Sequence, residues 1–197
     1  MPPVRPTRHF RGGPDGPTPG SLADSSPDAD PESVAKRLVL RRLTAAPRSR
    51  AQLEADLADR DVPDEVAERV LDRLTEVGLV DDAAFAEMWV RTRHAGRGLS
   101  RAALGRELRD KGIDDETVRD ALEDIDPAAE VAAAAALVAK RLSATRGLAL
   151  EVRLRRLTGM LARKGYPGGM AMRVVRDALT AEGTAAEVDA AAAVRPY

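Results

Sequence analysis

The chain has 197 residues, a formal net charge of −1, 44% hydrophobic residues and no cysteine. The missing cysteine excludes disulfides and thiolate metal sites and fits a reducing compartment. The opening MPPVRPTRHFRGG has no apolar stretch able to act as a signal peptide. The most apolar run, residues 131–138, is mostly alanine and too short to span a bilayer, so a cytoplasmic protein without a membrane segment is expected.

Residues 1–31 are rich in Pro, Gly, Ser and Asp and have no apolar period. Such a segment buries too little surface to offset its ordering entropy, which predicts a disordered N-terminal tail. From Ser33 the pattern changes. Val34, Leu38, Val39 and Leu43 share one helical face, and Pro47 stops that helix. Ser49 caps a second helix carrying Leu53 and Leu57. The turn Asp61-Val62-Pro63-Asp64 leads to a third, with Ala67, Val70, Leu71 and Leu74, ended by Gly78.

The same text then recurs. SRAQLEADLADRDVPDEVAERVLDRL begins at Ser49 and SRAALGRELRDKGIDDETVRDALEDI at Ser100, with no gap needed. A third copy, RLRRLTGMLARKGYPGGMAMRVVRDAL, places Leu157, Leu161, Gly165 and Tyr166 where Leu104, Leu108, Gly112 and Ile113 stand. Glycine after lysine suits a left-handed helix end, with the next apolar residue packing back. Repetition of this kind marks a stacked array. With aromatics at only 3% and Leu, Val and Ala dominant, the expectation is an all-α fold of three tandem three-helix repeats stacked into an elongated curved array. The expected units are residues 32–80, 81–126 and 127–182, with leading helices near Val34, Asp82 and Ala128. A C-terminal tail, 183–197, is expected to be weakly helical at best.

Residues able to run enzyme chemistry are not assembled by this sequence. The only histidines are His9, in the tail, and His94, at a helix end, which with no cysteine makes no metal cluster. The glycines at 96, 98, 168 and 169 follow no strand, and no GK[ST] motif occurs. The acidic pairs Asp81-Asp82 and Asp114-Asp115 precede helices, where acids cap free amides and meet the positive end of the dipole. No enzyme activity and no cofactor are expected.

Charge distribution is more informative than net charge. Only four of the 31 basic residues are lysines. Arginine enrichment suits bidentate contact with phosphate and carboxylate, and is also what a GC-rich genome produces. Acids are missing from 33–53 and from 88–106, and Glu151 is the only one in 140–164. They gather instead in the closing helices of units one and two. Stacking would align Arg91, Arg93, Arg97, Arg101, Lys140, Arg141, Arg146, Arg153, Arg156 and Lys164 as a basic stripe. Such a stripe fits an acidic protein groove or a phosphate backbone, or is simply a solvated face. Phe85, Trp89 and Tyr166 fall on apolar faces. Phe85 and Trp89 are expected to staple the second leading helix to the first unit.

Three blocks of this sequence resemble the RecX family. Gly78-Leu79-Val80-Asp81-Asp82-Ala83-Ala84-Phe85-Ala86, followed by Trp89-Val90 and arginines, is similar to its GLLDD-x-x-FA-x-x-WV signature. Arg97-Gly98 before Leu104, Glu107-Leu108 and Lys111-Gly112-Ile113 follow in order, and Leu161-Ala162-Arg163-Lys164-Gly165-Tyr166 resembles its L-x-R-[RK]-G-[FY] block. The resemblance covers about residues 34–180. It implies a regulator of the RecA recombinase without catalytic residues, made of three stacked three-helix units. It further implies binding in the groove of the RecA filament on DNA and, usually, inhibition of recombinase and co-protease activities. On that reading the basic residues named above are the contact surface, and the chain acts as a monomer. Direct DNA binding by the same face is the alternative.

Overall fold

A computed structural model describes residues 30–193, with side chains to residue 183. Among them the apolar periods build nine α-helices. Unit one holds α1 (Pro31–Ala45), α2 (Arg50–Ala58) and α3 (Asp64–Glu76). Unit two holds α4 (Asp82–Arg97), α5 (Arg101–Arg109) and α6 (Asp115–Glu123). Unit three holds α7 (Pro127–Leu142), a 3₁₀ turn at Ser143–Thr145, α8 (Leu150–Arg163) and α9 (Gly168–Ala193). The expected all-α tandem repeat is what the chain adopts. No helix among the described residues is long and apolar enough to cross a membrane.

Each unit closes its own core. Leu53, Leu57 and Leu71 are fully buried in the first, Leu104 and Leu108 in the second, and Leu161 and Val175 in the third. Burying one such side chain stabilises by roughly 1.5–3 kcal/mol, so every unit is held by its own leucine stripe. Extensive helix–helix packing lies within units; helix ends and turns make the joints between them.

Caps set the helix starts. Ser49 accepts the Gln52 amide, and the Gln52 side chain accepts the Ser49 N–H, completing a capping box. Asp81 caps α4 by accepting the Ala84 N–H at 2.8 Å. Asp114 caps α6 through the Glu116 and Thr117 amides, both at 2.9 Å. Asp30 caps α1, so this helix opens within the segment expected to be tail; residues 1–29 lie outside the described residues.

The repeats differ at one helix start, and one expectation needs correction. Helix α8 starts at Leu150, ahead of Arg153, which aligns with Ser100, and its N-cap Ala149 offers no side-chain bond. Helix α9 does not stop near Glu182 but continues to Ala193. The stretch is rich in alanine, the strongest helix former, and holds no proline before Pro196. Residues 194–197 lie outside the described residues.

The Asp114 carboxyl is held below the ordinary aspartate value, first by the Thr117 amide and then by the Thr117 hydroxyl. A depressed folded value adds stability above the unfolded pKa, and this is lost as pH falls through the folded one. We therefore expect Asp114→Asn, which keeps an acceptor but cannot titrate, to flatten the acid side of the stability–pH curve. Thermal melts from pH 7 down to pH 2 check this.

Candidate partner-binding surface

The two joints use the same parts. At the first, the Ser49 hydroxyl donates to the Lys111 carbonyl at 2.6 Å, and the Arg50 N–H donates to Asp82 Oδ1 at 2.8 Å. At the second, the Ser100 N–H donates to the Lys164 carbonyl at 3.0 Å, and the Arg101 N–H donates to Glu130 Oε1 at 2.8 Å. A serine-capped helix start on one unit thus meets a lysine–glycine turn and an acidic leading helix on the next. Asp82 is consequently not a cap. Burial pushes its carboxyl up, against the lowering by the Arg50 N–H.

The glycines are required sterically. Gly112 has φ +78° and Gly165 φ +86°. A Cβ on Gly112 would lie 2.3 Å from Ala51 Cβ, and one on Gly165 would lie 2.6 Å from Ala103 Cβ. Asp61 occupies the matching turn of unit one with φ +56°. Among the described residues no unit packs against that turn, so a side chain is tolerated there.

All three units converge at the C-terminal end of α4. Lys164 of unit three donates its ammonium to the Arg97 carbonyl at 2.6 Å, and the Tyr166 hydroxyl donates to the Gly98 carbonyl at 3.2 Å. On the side of unit one, a cleft of about 380 Å³ lies between Ala46-Pro47 and the α4 residues Met88, Trp89, Arg93 and Arg97. The Trp89 ring is crowded. Arg93 stands 4.2 Å and Lys111 4.1 Å from its centroid, Phe85 stacks at 5.7 Å, and its Nε1–H donates to Glu107 at 2.9 Å. Glu107 also lies 4.0 Å from Arg93.

The expected staple therefore changes form. Phe85 and Trp89 pack on the core of their own unit, and Trp89 reaches unit one only across the cleft. The ring is half-buried, so Trp89→Ala should cost roughly 2–3 kcal/mol, below the roughly 3–5 of a fully buried ring, with part of the loss coming from the two cation–π contacts. Denaturation followed by circular dichroism tests this.

The cations expected to form one stripe divide into three groups. Arg93, Arg97 and Lys164 meet at the end of α4, joined by Lys111, which the stripe did not include. Arg146 and Arg153 instead pair with Glu182 of α9, Arg146 from an exposed position. The Arg153 guanidinium also donates to Thr145 Oγ1 at 3.1 Å and its side chain is only 15% exposed, so it ties unit three together and is not a free contact. Those two guanidiniums, Arg146 first, hold the Glu182 carboxyl below its ordinary value. Arg91, Lys140, Arg141 and Arg156 are exposed, with no ion pair among the described residues; Arg101 is half-buried and contributes its backbone to the second joint. In unit one the basic leading region is partly neutralised. Arg42 lies 3.2 Å from Asp56, though without hydrogen-bond alignment, and Arg50 pairs with Glu54 and Asp72. The cleft was not legible in the sequence, because Pro47 and Trp89 meet only through the joint; the recurring Lys-Gly pair was the one signal for Lys111.

Fold and surface define an α-helical repeat protein whose distinctive chemistry is a cationic face gathered at its joints. Three family models match in order: RecX, first three-helix domain, over residues 35–74; RecX, second three-helix domain, over 81–122; and RecX, third three-helix domain, over 128–175. The chain belongs to the RecX family of regulatory proteins. It is 56% identical over 177 residues to Regulatory protein RecX of Thermobifida fusca, covering 90% of this chain and 92% of that one. It is 52% identical over 169 residues to Regulatory protein RecX of Streptomyces coelicolor, covering 85% and 90%. The crystal structure of RecX from Lactobacillus salivarius superposes with a TM-score of 0.69 at 22% identity, over 76% of this chain and 97% of that one, a likeness of fold. A second RecX crystal structure gives 0.67 at 26% identity, over 76% and 73%.

Proposed function

We propose that this protein regulates the RecA recombinase by binding the RecA–DNA filament in the cytoplasm, and that it inhibits the filament's ATPase, strand-exchange and co-protease activities in DNA repair and the SOS response. The observation that carries this reading is the cationic convergence at the end of α4, where units two and three of a RecX-family chain bring Arg93, Arg97, Lys111 and Lys164 together, with Glu107 bonded to the Trp89 Nε1–H. Guanidinium and ammonium groups in excess over the single nearby acid reward an acidic protein surface or phosphates, and steer association. The exposed Arg91, Lys140, Arg141 and Arg156 extend the same preference. No catalytic step is assigned to the chain; it acts by occupancy.

RecA ATPase and strand exchange, measured with increasing amounts of the protein, test the reading. Inhibition that saturates with filament sites supports it, and unchanged rates overturn it. Binding to bare DNA and to the filament, compared across salt concentrations, separates it from direct DNA binding. A phosphate-only contact weakens steeply and equally on both as salt rises, whereas a filament reader keeps a preference for the filament.

A further inference from the structure

We propose that the cleft between units one and two is a docking site for a short acidic peptide segment, one that rests an apolar side chain between Pro47 and Met88 beside the Trp89 wall and sets a carboxylate against Arg93 and Arg97. The inference rests on the reading that the basic face is the partner surface, and it names the partner chemistry at one point of it.

Three features of the cleft select this occupant. Its floor and wall are apolar, from Ala46, Pro47, Met88 and Trp89, and its rim is cationic. Arg97 is exposed and makes no ion pair among the described residues; Arg93 shares Glu107 with the Trp89 Nε1–H, at the longer distance of 4.0 Å. Apolar surface beside unmatched positive charge fits alternating apolar and acidic side chains. The crowding of Trp89 decides against single-stranded nucleic acid. A base binds an indole by stacking on a free face, but here Phe85, Arg93 and Lys111 all press on the one ring. With its faces taken, the indole serves as a wall and not as a stacking platform.

Trp89 is the only tryptophan of the chain, so its fluorescence reports on this cleft alone. The experiment titrates the full-length protein, without recombinase, with a synthetic peptide of alternating Glu and Leu. The same peptide with Gln for Glu, and an oligothymidylate, serve as comparisons. A saturable emission change with the acidic peptide is expected, weakened about tenfold or more for the Gln peptide and for Arg97→Gln, as loss of a charge-assisted contact requires. Circular dichroism establishes that the variant is folded. Equal response to the Glu and Gln peptides, response to oligothymidylate alone, or no response to any of the three overturns the proposal. Because no filament is present, that failure would leave the RecA reading standing, while intact peptide binding beside unchanged RecA rates would sink the RecA reading alone.

Discussion

Gly112→Ala is expected to destabilise the protein by about 3 kcal/mol, one of the largest effects available to a single methyl group. Two costs add. A non-glycine residue in the left-handed region costs roughly 1–2 kcal/mol, and overpacking a tight contact adds roughly 1–3. The obstructing atom is Ala51 Cβ, 2.3 Å from the new methyl. It is fixed to the backbone of α2, so relief requires the units to separate. At roughly 2–4 °C per kcal/mol for a chain of this size, the melting temperature should fall by about 6–12 °C. The matching change in unit one, Asp61→Gly, should stay within about 0.5 kcal/mol, as surface substitutions do, because no joint presses on that turn. A gain for Asp61→Gly as large as the loss for Gly112→Ala would mean that backbone conformation, not the joint, sets the cost. Hydrogen exchange would localise the Gly112→Ala effect to the Arg50 amide, which donates across the joint to Asp82.

Charge reversal should separate contact residues from structural ones. Arg97→Glu with Arg156→Glu alters two exposed side chains, neither with an ion pair among the described residues. Filament affinity is expected to fall at least about tenfold, equivalent to roughly 1.4 kcal/mol, with the melting temperature unchanged. Arg153→Glu should do the opposite. It sets a second carboxylate against Glu182 and removes the donor that the guanidinium gives to Thr145 Oγ1 and Leu142 O, which keep their bond to each other. Replacing an attraction by a like-charge contact at this pair is expected to lower the melting temperature clearly. Loss of filament affinity in Arg153→Glu should therefore track unfolding. An inhibition curve at wild-type concentration for the Arg97/Arg156 variant would remove these residues from the partner surface.

Periodicity and punctuation made the fold legible. Leucines at helical spacing, Ser49 and Ser100 before their helices, and glycine after Lys111 and Lys164 each report local physics that the folded chain obeys. The limits of α9 were misjudged because a run of alanines has strong helix propensity but no amphipathic period to announce it. The surface was half legible. A scarcity of acids along 88–106 and 140–164 identifies uncompensated charge, but pairing across distant segments is invisible in one dimension. Glu182 lies 29 residues from Arg153, and nothing in their spacing shows that they meet. The Trp89 cleft likewise exists only because the Ser49–Lys111 bond brings Pro47 beside α4.

The paired joints also determine how the array ends. A stack made this way carries a plug on one side of each unit, the lysine–glycine turn, and a socket on the other, the serine-capped helix start. Heterologous contacts of this type generate open fibres when the outermost plug and socket stay functional. Here the first plug is Arg60-Asp61, with a side chain where the contact admits only hydrogen. The last socket has Arg153 at the serine register, locked to Glu182. Among the described residues, neither the first turn nor the last helix start holds the parts that the two joints use. For a protein proposed to lie along someone else's polymer, the expected consequence is that its joints do not propagate into a polymer of its own.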